Sequence, residues 1–211
     1  MTVRWTALVP MKALPLAKSR LLAASTDTTQ HARLVRAMRA DTIAAITAAN
    51  HVARVLVITD RFDDEHPEAI VQSRKGLNHA LAEGAEFAQG RWPDDGVVAV
   101  VGDLPALRSN DLDAALRKAA RYQRSFVADV TQQGTTLLAA QPGVTLRPLF
   151  GTGSATQHAA SKAHRLAAPP GLRCDVDTLD DLCRAAEVGL GTHTAQLAAE
   201  LMPVTGEPAW C

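Results

Sequence analysis

The sequence predicts an α/β fold with a mainly parallel central sheet. Three observations carry that expectation. Residues 54–59 (Arg-Val-Leu-Val-Ile-Thr) and 96–102 (Gly-Val-Val-Ala-Val-Val-Gly) are continuous apolar runs, the mark of strands buried on both faces. Helical patterns alternate with these and weaker strand-like runs through most of the chain. At 211 residues, 47% apolar and 21% charged, the chain can bury a core without a metal or disulfide staple, and one domain over residues 1–211 is expected.

In chain order, residues 5–9 form a short apolar run closed by Pro10, a first strand. Residues 27–50 are helical, with Leu34, Met38 and Ala45 near one face and Asn50 as a stop. The strand at 54–59 follows, then a weaker one at 69–72 and a helix over 77–89. After the strand at 96–102, Ser109 caps a helix through Arg121, with Asp111 and Asp113 in its first turn, where the dipole favours acids. Residues 125–129 and 135–140 are further strands, and 154–163 is helical. Pro169, Pro170 and Gly171 punctuate the chain before an expected strand at 172–176, and Asp177 or Thr178 starts a closing helix.

Composition excludes several functions. Lys+Arg 22 against Asp+Glu 22 leaves no net charge, which argues against general binding to nucleic acid or membrane surfaces. Three Trp, one Tyr and four Phe are too few for a base-stacking platform. The longest aliphatic run, 97–101, falls far short of the roughly 18 residues needed to cross a bilayer. Arg4 and Trp5 precede a run ended by Pro10, too short for a secretory h-region. Cys174, Cys183 and Cys211 form no CxxC, as expected of reduced thiols. A cytoplasmic protein is the expectation.

In open parallel sheets, ligands gather beyond the C-terminal strand ends. After the first strand, Lys12, Lys18 and Arg20 put three cations in nine residues, stiffened by Pro10 and Pro15. Such a loop suits a triphosphate, or is a solvated basic turn. After the strand at 96–102 comes Gly102-Asp103-Leu104-Pro105, where a carboxylate can reach Mg²⁺ or can cap a turn. Asp175 and Asp177 share a side if the last strand persists that far, so either could complete a metal site with Asp103. Asp180 and Asp181 read better as acids favouring a helix dipole. Gly76-Leu77-Asn78 opens a helix whose amide could read a nucleoside or merely cap. Gly134-Thr135-Thr136 and Phe150-Gly151-Thr152-Gly153-Ser154 supply hydroxyls and backbone donors. No Walker pattern, GxGxxG, GxSxG or HExxH is present, and the seven histidines receive no role.

Val-Pro-x-Lys…Ala-Lys-Ser-Arg-Leu, Gly-Leu-Asn, Asp-Leu-Pro, Gly-Thr-Thr, Phe-Gly-x-x-Ser and Asp-Val-Asp-Thr…Asp-Leu occur in one order over residues 9–182. That order resembles the guanylyltransferases of deazaflavin coenzyme (coenzyme F-420) biosynthesis, which join GTP to 2-phospho-L-lactate or phosphoenolpyruvate. The resemblance implies a single-domain nucleotidyltransferase fold, GT-A-like and Rossmann-related. It also implies that Thr136, Gly151 and Ser154 hold the phosphorylated three-carbon acid, and that Asp103, Asp175 and Asp177 bind Mg²⁺. Lys12, Lys18 and Arg20 would follow the GTP phosphates, with Gly76 and Asn78 near the nucleoside and Asp103 and Lys18 as the catalytic pair. The expected partners are GTP and the acid, with no nucleic acid or membrane, and the product would pass to a downstream transferase of the same pathway. The Thr152-Gly153 stretch is unusually small for the family, and the Gly-rich, Arg-containing signature of related sugar-nucleotide enzymes is lacking. Arg 17 against Lys 5 suggests a GC-rich genome, a source associated with phosphoenolpyruvate.

Two other classes fit parts of the sequence. Asp175-Val176-Asp177 is a DxD, as in glycosyltransferases, although only about 35 residues follow it. Pyrophosphate release from GTP would separate the two, because a glycosyltransferase needs a preformed sugar nucleotide. A non-catalytic nucleotide-binding domain would bind without turnover, and the acids clustered at strand ends count against it.

Overall fold

The structure is a computed structural model that describes residues 3–11, 28–60, 69–71, 73 and 75–201. The strands among these described residues are seven: β1 (Trp5–Met11), β2 (Val52–Thr59), β3 (Ile70–Val71), β4 (Gly96–Val100), β5 (Arg124–Ala128), β6 (Thr135–Ala140) and β7 (His164–Arg165). They form one sheet in the order β3-β2-β1-β4-β6-β5-β7. β1 pairs in parallel with both β2 and β4, whereas β6 runs antiparallel to β4 and β5. β5 and β6 are joined by a connection too short for a crossover, so the chain has to reverse there.

Among the described residues six helices cover the sheet: α1 (Thr28–Thr47), α2 (Leu77–Arg91), α3 (Ser109–Ala119), α4 (Ser154–Ala160), α5 (Leu179–Val188) and α6 (Thr192–Leu201). The two-residue period of β1 divides the core. Ala7 and Val9 face Ile46 of α1 and Leu112 and Leu116 of α3, while Leu8 faces Leu81, Ala85 and Ala88 of α2. A third cluster joins Leu34, Val35 and Met38 of α1 to Leu182 and Ala185 of α5 and Leu197 of α6. Cys174 and Val176 are buried in it, so it also supports the segment that carries Asp175. Asp41 of α1 fastens the far end by accepting the His193 and Thr194 N–H groups at 3.0 and 2.7 Å. Among the described residues no helix is long and apolar enough to cross a membrane.

The predicted strand at 172–176 is replaced by a 3-10 turn at Pro170–Leu172 and an unladdered extended stretch. Pro170 fixes φ at the turn start, and the N–H groups of Arg173 and Cys174 fold back onto its carbonyl at 2.8 and 2.9 Å. Leu172, Cys174 and Val176 are all buried, but Leu172 ends the 3-10 turn and Arg173 keeps right-handed helical angles, so the segment is tied by Val130 N–H to Arg173 O and Val176 N–H to Asp103 O instead of by a ladder. The sheet edge is taken by β7, just past the predicted helix at 154–163. The closing helix divides at Gly189 into α5 and α6. Thr178 is its N-cap: its hydroxyl accepts from Asp181 N, and the Asp181 carboxylate accepts from Thr178 N at 2.9 Å. Cys174 is a free, buried thiol, but Cys183 is disulfide-bonded, against the expectation of three reduced cysteines.

One buried carboxylate joins the two layers of the first face. Asp113 of α3 accepts from Asn50 N and Nδ2, both at 3.0 Å, and from His51 N and Nδ1 at 2.9 and 2.8 Å. Burial pushes its pKa up, but the hydrogen bonds from His51 and Asn50 outweigh it and hold the carboxyl at about 2, against an ordinary 3.8. A depressed carboxyl stabilises the fold above its unfolded pKa and loses that contribution as pH falls through the folded one. The shift corresponds to about 2 kcal/mol at neutral pH. Asp113→Asn should therefore lower stability at pH 7 by about that much, with the deficit roughly halved at pH 3. Urea unfolding at both pH values checks this, and an equal deficit at both would remove the ionised carboxylate from the account.

Candidate functional site

The C-terminal ends of β1 and β4 open on the loop that carries Asp103. Thr42 of α1 orients this loop: its hydroxyl donates to Met38 O at 2.8 Å and accepts Leu104 N–H at 3.0 Å. From the other side, Val176 N–H donates to Asp103 O at 3.1 Å. That tie brings Asp175 beside Asp103. Burial, followed by the charge of Asp103, pushes the Asp175 carboxyl up to about 7, with Asp129 and Asp177 adding to the effect. Of the DxD pair, Asp175 is partly buried and electrostatically coupled to Asp103, while Asp177 is exposed.

Carboxylates that cannot all ionise comfortably call for a cation. Among the described residues no group of three or more His, Cys, Asp or Glu could hold a metal ion. The coupled Asp103–Asp175 pair instead offers two hard oxygen ligands. Mg²⁺ is commonly held this way, by one or two carboxylates with substrate phosphates and water completing its octahedron. The residues present fit that ion.

A second part of the site lies where β6 begins. The β5–β6 register shifts so that Val127 pairs with Leu137 but Ala128 with Thr135, leaving Thr136 as the extra residue of a bulge. The bulge separates the two threonines. Thr136 is fully buried and donates its hydroxyl to Leu172 O at 2.7 Å. Thr135, its neighbour, receives the Ser154 hydroxyl at 3.1 Å and contacts His158 Nδ1 at 2.9 Å. His158 Nε2 accepts Leu149 N–H at 3.0 Å, which leaves the ring proton on Nδ1 to donate to Thr135. Burial, aided by the Arg124 charge, lowers His158 to about 4, so it is neutral in ordinary buffers. Gly151 has φ +130, a conformation that an L side chain rarely adopts. A Cβ there would meet nothing within 4 Å, so the backbone angle rather than space requires glycine.

The nucleoside candidates sit at the start of α2. Gly76 precedes the helix with φ +113. Asn78 gives its amide to main chain: Nδ2 donates to Phe150 O at 3.0 Å, and Oδ1 accepts Phe150 N–H at 2.7 Å. Lys12, Lys18 and Arg20 lie outside the described residues. The structure thus brings Asp103 to Asp175, and Asn78 to the loop bearing Gly151 and Ser154. Sequence reading passed over Asp129, whose side chain caps its own turn by accepting from Thr131 Oγ1 at 2.8 Å and Gln133 N at 3.0 Å. Its place directly after a strand was the available signal. His158 had none, because its pairing with Thr135 spans 23 residues.

Comparison with known proteins places the chain in a family. The family described as "Guanylyl transferase CofC like" matches residues 5–197. A phosphoenolpyruvate guanylyltransferase of Salinispora arenicola is 43% identical over 223 residues, covering 98% of this chain and 99% of that protein. One from Geodermatophilus obscurus is 45% identical over 217 residues, covering 96% and 97%. Among solved structures, a putative nucleotide-diphospho-sugar transferase from Desulfovibrio desulfuricans shares the fold at TM-score 0.68 and 15% identity, over 94% of this chain and 95% of that one. The chain belongs to the CofC-like guanylyl transferase family.

Proposed function

We propose that this chain is a cytoplasmic phosphoenolpyruvate guanylyltransferase of coenzyme F-420 biosynthesis. A phosphate oxygen of the acid attacks the α-phosphorus of GTP, the bond between the α-phosphorus and the bridging oxygen breaks, and pyrophosphate leaves. The product is enolpyruvyl-diphospho-guanosine. With 2-phospho-L-lactate, the other acid used in the family, it would be the lactyl counterpart. Support for the substrate class comes from the names of relatives above 40% identity. The observation that carries the chemistry is the coupled Asp103–Asp175 pair.

The barrier is electrostatic. Bringing two unit negative charges to about 5 Å costs roughly 3 kcal/mol at an effective dielectric of 20, and several such pairs form as the acid meets the triphosphate. Mg²⁺ bound at Asp103 and Asp175, with Asp177 at the rim, would supply the positive charge that offsets this repulsion. Lys12, Lys18 and Arg20 follow the triphosphate, and Lys18 meets the charge that grows on the leaving pyrophosphate. Gly76 lies near the nucleoside. Thr136, Gly151 and Ser154 hold the acid's phosphate, with the two hydroxyls turning from Leu172 and Thr135 toward the ligand. The attacking phosphate is already ionised, so no general base is needed.

Asp103→Asn should leave the fold intact and lower kcat by more than tenfold, because an amide cannot replace the carboxylate's charge on a divalent cation. Retention of more than about a tenth of wild-type kcat at saturating Mg²⁺ would remove Asp103 as a principal ligand.

The two acids share a phosphate and a carboxylate and differ only around C2 and C3. Discrimination then rests on packing about one small group, worth about 1–3 kcal/mol, or roughly 10–200-fold. Pyrophosphate release measured in parallel should favour phosphoenolpyruvate, and Ser154→Ala should reduce both reactions in similar proportion. Preference for 2-phospho-L-lactate would reverse the substrate assignment, and no release with either acid would end the guanylyltransferase reading.

A further inference from the structure

Residues 144–150 have no helix or strand of their own, yet they lead directly into Gly151 and Ser154. A backbone without secondary structure has to find hydrogen-bond partners elsewhere. Here three main-chain groups of two adjacent residues find side chains. Leu149 N–H donates to His158 Nε2, Phe150 N–H donates to Asn78 Oδ1, and Phe150 O accepts from Asn78 Nδ2. The Phe150 ring also packs edge-on against His158, with centroids 5.3 Å apart. Beyond Phe150 the chain closes on itself, with Ser154 N–H donating to Gly151 O at 3.1 Å and Ala155 N–H to Gln133 O at 3.1 Å. Asn78 and Phe150 are 72 residues apart in sequence, so this is a tertiary clamp and not a local turn.

We infer that Asn78 is a positioning residue for the acid site: its amide clamps both main-chain groups of Phe150 and so sets where Gly151 and Ser154 stand. The inference rests on the reading of Gly151 and Ser154 as the residues that hold the acid. A planar amide presents an acceptor to N–H and a donor to C=O from two separate atoms, which copies the pairing of a β-ladder. Because Asn78 lies two residues after Gly76, the clamp links the start of α2 to the acid loop. A nucleoside-reading role would turn the same amide outward, and the two roles differ in which substrate suffers when it is removed.

The experiment compares Asn78→Ala, Asn78→Asp and Gln89→Ala with wild type, all in the full-length chain. Gln89 is the control: it lies on the same helix and donates to Val144 O at 2.7 Å, about 16 Å along the axis from Asn78. Asn78→Ala should raise KM for phosphoenolpyruvate about tenfold, with KM for GTP held within about twofold. Asn78→Asp keeps the acceptor for Phe150 N–H and should fall between Ala and wild type. Gln89→Ala should leave both KM values unchanged. Hydrogen exchange on the ligand-free proteins is the second readout: amides of residues 149–154 should exchange faster in Asn78→Ala than in Gln89→Ala at matched melting temperature. A rise in KM for GTP as large as that for the acid overturns the inference, and so does unchanged exchange over 149–154. If wild type releases no pyrophosphate, the guanylyltransferase reading fails and the exchange comparison alone decides the clamp.

Discussion

A carboxylate, Asp175, kept largely out of water and beside the charge of Asp103 is the constraint on which the rest of the structure depends. Moving Asp175 from an ordinary 3.8 to about 7 corresponds to roughly 4 kcal/mol of stability forgone at neutral pH without a cation. That is a large share of a typical domain's net stability. The supports around the pair are correspondingly dense. Thr42 holds the Asp103 loop from α1, Val176 N–H ties the opposing segment to it, and the cluster around Met38 and Leu182 lies beneath both. The Thr178–Asp181 capping box and the Asp41 contacts to α6 keep the two last helices in place over that cluster.

The reversed strand β6 serves the other half. A sheet of wholly parallel strands would place every strand end with the same polarity, but β6 starts where its neighbours finish. Its first residues therefore lie at the ligand-facing edge, with Asp129 at the end of β5. The bulge at Thr136 then divides the threonine pair, one hydroxyl toward Leu172 beside the acidic segment and the other toward Ser154 and His158. Two adjacent residues thus touch both halves of the site.

What the sequence made legible followed burial. β4 announces itself as a continuous apolar run because both faces are covered, whereas β2, equally apolar in sequence, is only partly buried over residues 52–57; α3 shows its core face through Leu112 and Leu116. The Asp103–Asp175 pairing was legible as residues after strand ends, although the expected strand at 172–176 is a 3-10 turn and an unladdered stretch. Its alternation is genuine, but a ladder needs a neighbour, and Pro170 turns the chain before one can form. β7, two exposed residues, has no periodicity to read. Asn78 illustrates the harder limit. A polar residue opening a helix looks the same whether it caps, binds a ligand or grips a distant loop, and only the position of Phe150 distinguishes these.

The histidine at the centre of this network clarifies what kind of catalyst the fold can be. His158 is fully buried, is held at about 4 by burial and the Arg124 charge, and has both ring nitrogens engaged with Leu149 N–H and Thr135 Oγ1. A group so placed is a poor proton shuttle at neutral pH, because charging it would set a second ring N–H against the Leu149 N–H. Its geometry suits a fixed strut. The same is true of the threonine and serine hydroxyls that lean on it, none of which has a base poised to activate it as a nucleophile. The chemistry left to such a site is the chemistry of charge and placement: a reactant that arrives already ionised, carboxylates that need a cation, and a backbone loop held by side chains from two directions. A displacement between phosphates meets those terms, since its main cost is repulsion and its main requirement is alignment.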